Sequence, residues 1–334
     1  MPDSGGSGAG NWRPDARLEV IQLRATLLGR IRAFFAQQGV LEVDTPLLSR
    51  FAATDPALDS FLTRYLGPGA AGGLPLYLQT SPEFFMKRLL AAGSGPVFQL
   101  GHVFRNGECG RRHNPEFMML EWYRPGMDHH ALMGEVDALL AFALQGILDY
   151  QPARRIAYRQ WFQDHTGLDP WCDDVPALRS FIERKIGPAP EGMDETRLTP
   201  WLDLVVTHWI EPQIGDQALF VYDFPVAQAA LARVRNDPLP VAERFELYLK
   251  GVELANGFHE LADAAEQRLR FQADNSLRER YGLPAMPPDE NLLAALAAGL
   301  PDSSGVALGF DRLVMLAAEL AEISATMPFS LQRV

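Results

Sequence analysis

Read only as apolar and polar positions, the chain switches between helical and strand periodicities. Over residues 17–38 the apolar residues Leu18, Ile21, Leu27, Leu28, Ile31, Phe34 and Phe35 recur at mostly helical spacing, and Gly39 stops the run. Residues 40–46 follow as a strand that ends in proline. Residues 54–73 are irregular and rich in glycine and proline, ahead of a strand at 76–80. Ser81 as cap, Pro82 at the first helical position and Glu83 in the first turn predict a helix running to Leu90. Two runs with strand-like length and side chains, 99–104 and 117–123, flank a polar loop holding Gly107, Gly110, Asn114 and Pro115, which predicts a long hairpin. An aliphatic helix is expected over 128–148, another over 201–210, and a strand over 219–224 that stops at Pro225. Phe245, Leu247 and Leu249 alternate as in a strand, Gly251 turns the chain, and 252–260 returns as a second strand. Residues 305–316 read as a short apolar strand running straight into a helix. The stretch 150–200 is proline-rich with scattered charge and short helical pieces such as 175–185; it reads as an insertion packed beside the core sheet, without assigned chemistry.

Composition narrows the class. A chain of 334 residues with 47% hydrophobic and 22% charged residues buries a substantial core, as one large domain or two ordinary ones. No apolar run approaches the length of a membrane span, and no basic-then-apolar leader opens the sequence. Two cysteines, Cys109 and Cys172, are too few for a disulfide framework or a zinc site, so a reducing, cytoplasmic setting is expected. A net charge of −12 argues against a broad nucleic-acid surface, although a local basic groove is compatible with it. Residues 1–10 are rich in glycine and serine; a flexible tail is expected over 1–16 and one domain over 17–334.

Three stretches carry candidate chemistry. The hairpin holds Arg105, Arg111, Arg112 and His113, a cationic cradle whose planar guanidinium forks suit phosphate oxygens. His113 and Phe117 offer flat faces for a purine. Arg312 sits in the first turn of the last strand-to-helix unit, where backbone N–H groups already favour an anion. Glu253 and Glu260 are seven residues apart and fall on opposite faces of an unbroken strand, unless a bulge near Asn256–Gly257 turns both toward one site. Beside an arginine cradle, such a pair reads either as ordinary salt bridges or as a seat for Mg²⁺ and phosphates.

In order along the chain, SPEFFMKRLL (81–90), FRN (104–106), RHNPEFMMLEWY (112–123), GVELANGFHEL (251–261) and GFDRLVML (309–316) resemble the class II aminoacyl-tRNA synthetases. The text is most similar to the lysyl branch and its short paralogues that modify elongation factor P, from about Arg17 to the end. The resemblance implies an α+β fold, a class II synthetase catalytic domain with a mixed, mainly antiparallel sheet flanked by helices. It implies a homodimer built on the motif 1 helix and strand. It implies ATP and Mg²⁺, and activation of (R)-β-lysine as an adenylate for transfer to a lysine of elongation factor P. Arg105 would then hold the α-phosphate and Arg312 the γ-phosphate as the catalytic pair. Asn106, Gly107, His113, Asn114, Phe117, Glu253, Leu254 and Gly309 would complete the ATP site, with Glu253 and Glu260 as metal ligands. Ser81, Pro82, Glu83, Tyr123, Glu260 and Ala307 would line the amino-acid pocket, Tyr123 and Glu260 reading the distal amine.

Only a short polar tail precedes the motif 1 helix, so no anticodon-binding OB-fold and no stable tRNA binding are expected. A catalytically silent paralogue and a tRNA-charging enzyme without its anticodon domain are the alternatives. Two positions depart from the family's pattern. Gly107 holds the motif 2 glutamate position, with Glu108 after it. Ala307 stands where lysyl-tRNA synthetases typically carry glycine; an added methyl on the pocket floor discriminates between isomers by roughly 1–3 kcal/mol, so Ala307→Gly is expected to raise activation of α-lysine.

Overall fold

The structure is a computed structural model that describes residues 12–236 and 238–334; residues 1–11 of the expected tail lie outside them. The chain opens with α1 (Leu18–Gln37) and β1 (Leu41–Glu42), then a small sheet of β2 (Leu48–Ser49), β3 (Leu62–Tyr65) and β4 (Leu74–Leu78). α2 (Glu83–Ala91) precedes the long hairpin of β5 (Val97–Phe104) and β6 (Glu116–Pro125), and α3 (His129–Leu144) follows. Next come β7 (Arg154–Ala157), α4 (Tyr158–Thr166), α5 (Val175–Lys185), α6 (Thr199–Val205), β8 (Leu219–Pro225) and β9 (Val234–Arg235). The last part holds β10 (Val241–Leu249), β11 (Val252–His259), α7 (Ala264–Arg280), α8 (Glu290–Gly299), β12 (Ser303–Gly309) and α9 (Phe310–Ala317).

Among the described residues the main sheet runs β1-β5-β6-β12-β11-β10-β8-β7, with β9 added beside β10. Only the two edge pairs, β1 with β5 and β7 with β8, are parallel; the centre is antiparallel. α1 and α3 cover one face. Phe35 of α1 stacks on Phe98 with ring centroids 4.5 Å apart and meets Trp122 edge-on at 5.4 Å, which anchors the helix to the hairpin. Asp128 caps α3 by accepting the Ala131 N–H at 2.8 Å. No helix among the described residues is long and apolar enough to cross a membrane.

Several boundaries differ from the sequence reading for local physical reasons. The strand expected at 40–46 shortens to Leu41–Glu42, because this edge segment has a partner only in β5. α2 begins at Glu83, with Pro82 just before it, and the Ser81 hydroxyl accepts the Glu83 N–H only at 3.4 Å. α6 passes into a π-helical turn, Val206–Ile210. Asp15 and Ala16, at the end of the expected tail, are tied down: their N–H groups donate to Pro328 and Met327 at 2.8 and 3.0 Å. The stretch 150–200 is built into the sheet through β7, and Trp161, Phe162, Phe181 and Ile182 of its helices bury with Trp201, Val221 and Tyr248 in a second core.

Candidate active site

A cavity of about 1100 Å³ opens over the centre of the main sheet, walled by β6, β10, β11, β12, the hairpin loop and the start of α2. Its first end is cationic. Arg105 leaves β5 at the hairpin turn, lies over the Phe117 ring at 5.2 Å and reaches Glu108 at 3.6 Å. Its Nε is buried without a hydrogen-bond partner. Arg312, in the first turn of α9, donates to the Glu253 carbonyl at 2.7 Å, to the Glu253 carboxylate at 3.3 Å and to His113 Nε2 at 2.8 Å. Burial, and then the Arg312 guanidinium, lower the pKa of His113, so the ring is a neutral acceptor.

α9 is held in place from behind. Asp311, one residue before Arg312, pairs with Arg24 of α1 and accepts the Met118 N–H of β6 at 2.6 Å. One buried carboxylate therefore fixes the arginine-bearing helix start to the hairpin strand and to α1.

The other end is acidic. Lys87 of α2 is buried, with its Nζ 2.6 Å from Glu83 and 2.5 Å from Glu260. Burial alone would discharge this amine, but the Glu260 and Glu83 carboxylates outweigh it and hold it cationic. Tyr123 donates to Glu121 at 2.7 Å. Glu121 is buried, and desolvation, reinforced by Glu83, pushes its pKa up to about 8. Burial likewise raises Glu260, against the pull of Lys87. Room for this crowding comes from Gly305: a Cβ there would stand 2.3 Å from the Tyr123 ring and 2.6 Å from Glu260 Oε1. Register sets Ala307 between Asn256 of β11 and Glu121 of β6, on the floor of this end.

Residues 11–333 match the family described as tRNA synthetases class II (D, K and N). The chain belongs to this family. It is 51% identical over 328 residues, 98% of this chain and 99% of the relative, to the elongation factor P–(R)-β-lysine ligase of Salmonella gallinarum. Proteins of the same name from Salmonella dublin and Salmonella paratyphi B match at the same identity and coverage.

Within this class II synthetase the cavity gathers Ser81, Glu83, Arg105, His113, Asn114, Phe117, Tyr123, Glu253, Leu254, Glu260, Ala307, Gly309 and Arg312 from the sequence reading. Pro82, Asn106 and Gly107 do not line it. Asn106 instead ties the hairpin to the loop before β3, donating to Asp59 Oδ2 at 2.7 Å. Asn114 is occupied by its own backbone contacts, donating to the Glu116 carbonyl at 2.7 Å and accepting the Leu331 N–H at 3.1 Å.

Glu260, expected beside Glu253 as a metal ligand, pairs with Lys87, and both glutamates line the cavity. The bulge that reorients Glu253 is at Leu254, since Leu247 faces Ala255 while Tyr248 faces Glu253; it lies before the expected Asn256–Gly257. The acidic neighbours of Glu253 are Glu246 and Glu211. Tyr248 donates to Glu246 at 2.6 Å, and its hydroxyl lies 3.4 Å from Glu211. Desolvation pushes Glu246 up to about 7, with Glu253 and Glu211 adding repulsion.

Sequence reading missed Glu246, Glu211, Glu121 and Lys87. Arg244, Glu246 and Tyr248 alternate with Phe245 and Leu247, a polar face on an otherwise apolar strand, and that pattern was the signal for Glu246. Lys87 carries a helical signal, four residues after Glu83 and hence on the same face. Glu211 has no such signal.

Proposed function

We propose that the chain activates (R)-β-lysine with ATP and transfers it to a lysine side chain of elongation factor P. The observation that carries this reading is the charge imbalance of the acidic end. Glu83 and Glu260 flank a single ammonium, Lys87, and a third carboxyl, Glu121, is kept neutral beside them by burial and the same crowding. A substrate with two amines supplies the missing positive charge, and the adjoining arginines suit a nucleotide triphosphate. The relatives named elongation factor P–(R)-β-lysine ligase support the acceptor and the isomer.

In the first step a carboxylate oxygen of the amino acid attacks the α-phosphorus of ATP. The new O–P bond forms as the bond to the β-phosphate oxygen breaks, and pyrophosphate leaves. The chemistry asks the protein for positioning and for charge stabilisation around a crowded phosphate. Arg105, with its orphaned Nε, meets the α-phosphate, and Arg312 turns from Glu253 to the γ-phosphate. Neutral His113 and Phe117 hold the adenine between flat faces, next to the Leu254 backbone and Gly309. Glu211, Glu246 and Glu253 fit a divalent cation, because their mutual repulsion leaves an unmet demand for positive charge. Bound Mg²⁺ there would neutralise phosphate charge. Glu260 and Tyr123 read the distal amine, and Glu83 with Ser81 the amine nearer the carboxylate. In the second step the acceptor ε-amine attacks the acyl carbon; the C–N bond forms, the C–O bond to AMP breaks, and the amine releases a proton.

Amino-acid-dependent ATP–pyrophosphate exchange tests the reading, with (R)-β-lysine and α-lysine side by side. Exchange with (R)-β-lysine, followed by acylation of elongation factor P, supports it. Exchange with α-lysine alone returns tRNA as the acceptor, and silence with both makes the chain a non-catalytic paralogue.

A further inference from the structure

Three of the seven histidines gather on the side of the sheet away from the substrate cavity. His129 opens α3, Glu243 lies on β10 and His259 closes β11. Glu243 and His259 alternate with Arg244 and Phe258, which line the cavity, and none of His129, Glu243 and His259 does so. We propose that His129, Glu243 and His259 form a second metal site, which takes a divalent transition-metal ion of the class of Zn²⁺.

Four observations support it. The three residues offer ligand atoms that lie within 4.8 Å of one another, and they are only 1%, 6% and 5% exposed. Each imidazole is already oriented from its far side: His259 Nε2 lies 2.8 Å from Asp302, and His129 Nε2 lies 3.1 Å from Asp223. A carboxylate on one imidazole nitrogen is the outer partner that sets a metal-binding histidine. His129 Nδ1, His259 Nδ1 and Glu243 Oε2 are buried atoms with no hydrogen-bond partner. His259 Nδ1 and Glu243 Oε2 are 2.7 Å apart yet off hydrogen-bonding geometry, a spacing near that of two ligands on one ion.

The donor set decides the class of ion. Two imidazoles and one carboxylate suit Zn²⁺ and its transition-metal neighbours, whereas Mg²⁺ and Ca²⁺ prefer oxygen ligands. Charge allows a cation. Asp223, Glu243 and Asp302 face the guanidiniums of Arg233 and Arg235, and Asp128 adds a fourth carboxylate close to the imidazoles. Arg235 engages Glu243 through Oε1 at 3.1 Å, and the half-exposed Arg233 lies 3.5 Å from Oε2. His259 directly precedes Glu260, so an ion here would brace the wall of the acidic end from behind.

The test uses the full chain, stripped with chelator and dialysed against Zn²⁺ in buffer holding excess Mg²⁺, which occupies the oxygen-rich acids of the cavity. The expected result is about one Zn²⁺ retained per chain. A rise of a few degrees in thermal midpoint and visible d–d absorption on replacement by Co²⁺ should accompany it. Glu243→Gln and His259→Ala should each lose the ion, and His129→Gln serves from a different element if His259→Ala does not fold. His130→Ala, beside the site but outside the ligand set, should retain it. No retained Zn²⁺ would mean that the cluster is a network of histidines and carboxylates alone and would overturn the proposal. So would retention in the ligand variants, or loss in His130→Ala.

Discussion

At the scale of single residues, the acidic end is a set of carboxylates kept close together by the absence of one side chain. Gly305→Ala places a methyl inside the Tyr123 ring and against Glu260. Overpacking of this kind costs about 1–3 kcal/mol, so kcat/KM for the amino acid should fall about tenfold or more while the KM for ATP holds. A parallel rise in both KM values would show general damage to the fold instead. Glu121 makes a different prediction, through pH. Its folded-state pKa of about 8 lies above the ordinary 4.5, so the fold favours the neutral acid. The stability this group contributes is full below about 4.5 and is lost as pH rises toward about 8. Glu121→Gln keeps the shape and removes the charge. In thermal melts without substrate the variant should be the more stable protein at pH 9, with the gap closing toward pH 5, while exchange activity falls because the substrate amine has lost a partner. Equal pH dependence in the two proteins would contradict the assignment of burial as the cause.

At the scale of elements, the site depends on three pieces of chain meeting at Asp311. Arg24 of α1 and the Met118 N–H of β6 both end on this buried carboxylate of α9. Removing it strands a largely buried guanidinium, a change that costs about 3–5 kcal/mol. Asp311→Ala should lower the urea midpoint accordingly and should also weaken ATP use, because Arg312 is the next residue. Loss of stability with unaltered ATP kinetics would separate the anchor from the site. The bulge at Leu254 acts at the same scale. It turns Glu253 onto the cavity face that Glu260 also occupies, where the acidic neighbours of Glu253 are Glu246 and Glu211.

At the scale of the molecule, the large apolar residues left exposed concentrate near the N-terminal elements, with Leu18 at 64% and Leu41 at 57% among them. Together with the resemblance to motif 1, this supports a two-fold pairing across α1 and β1. Sedimentation should find a dimer that Leu41→Asp converts to monomer; a wild-type monomer at all concentrations would retire that interface. How much of this was legible beforehand follows from range. Periodicity and capping are local, so the helix of α1, the hairpin of β5 and β6, the β10–β11 pair and the strand-to-helix unit at Arg312 could all be read along the chain, and their motif text named the family. Within 150–200 the helix at 175–185 was legible, but β7 was not, because it is four residues with two arginines and owes its place to pairing with β8. Nor was the pairing of Glu260 with Lys87, the company of Glu246, or the approach of His129 to Glu243 and His259. Those depend on a one-residue bulge and on strands far apart in sequence lying side by side, and the energies that select them exist only once the sheet has formed and water has left its core.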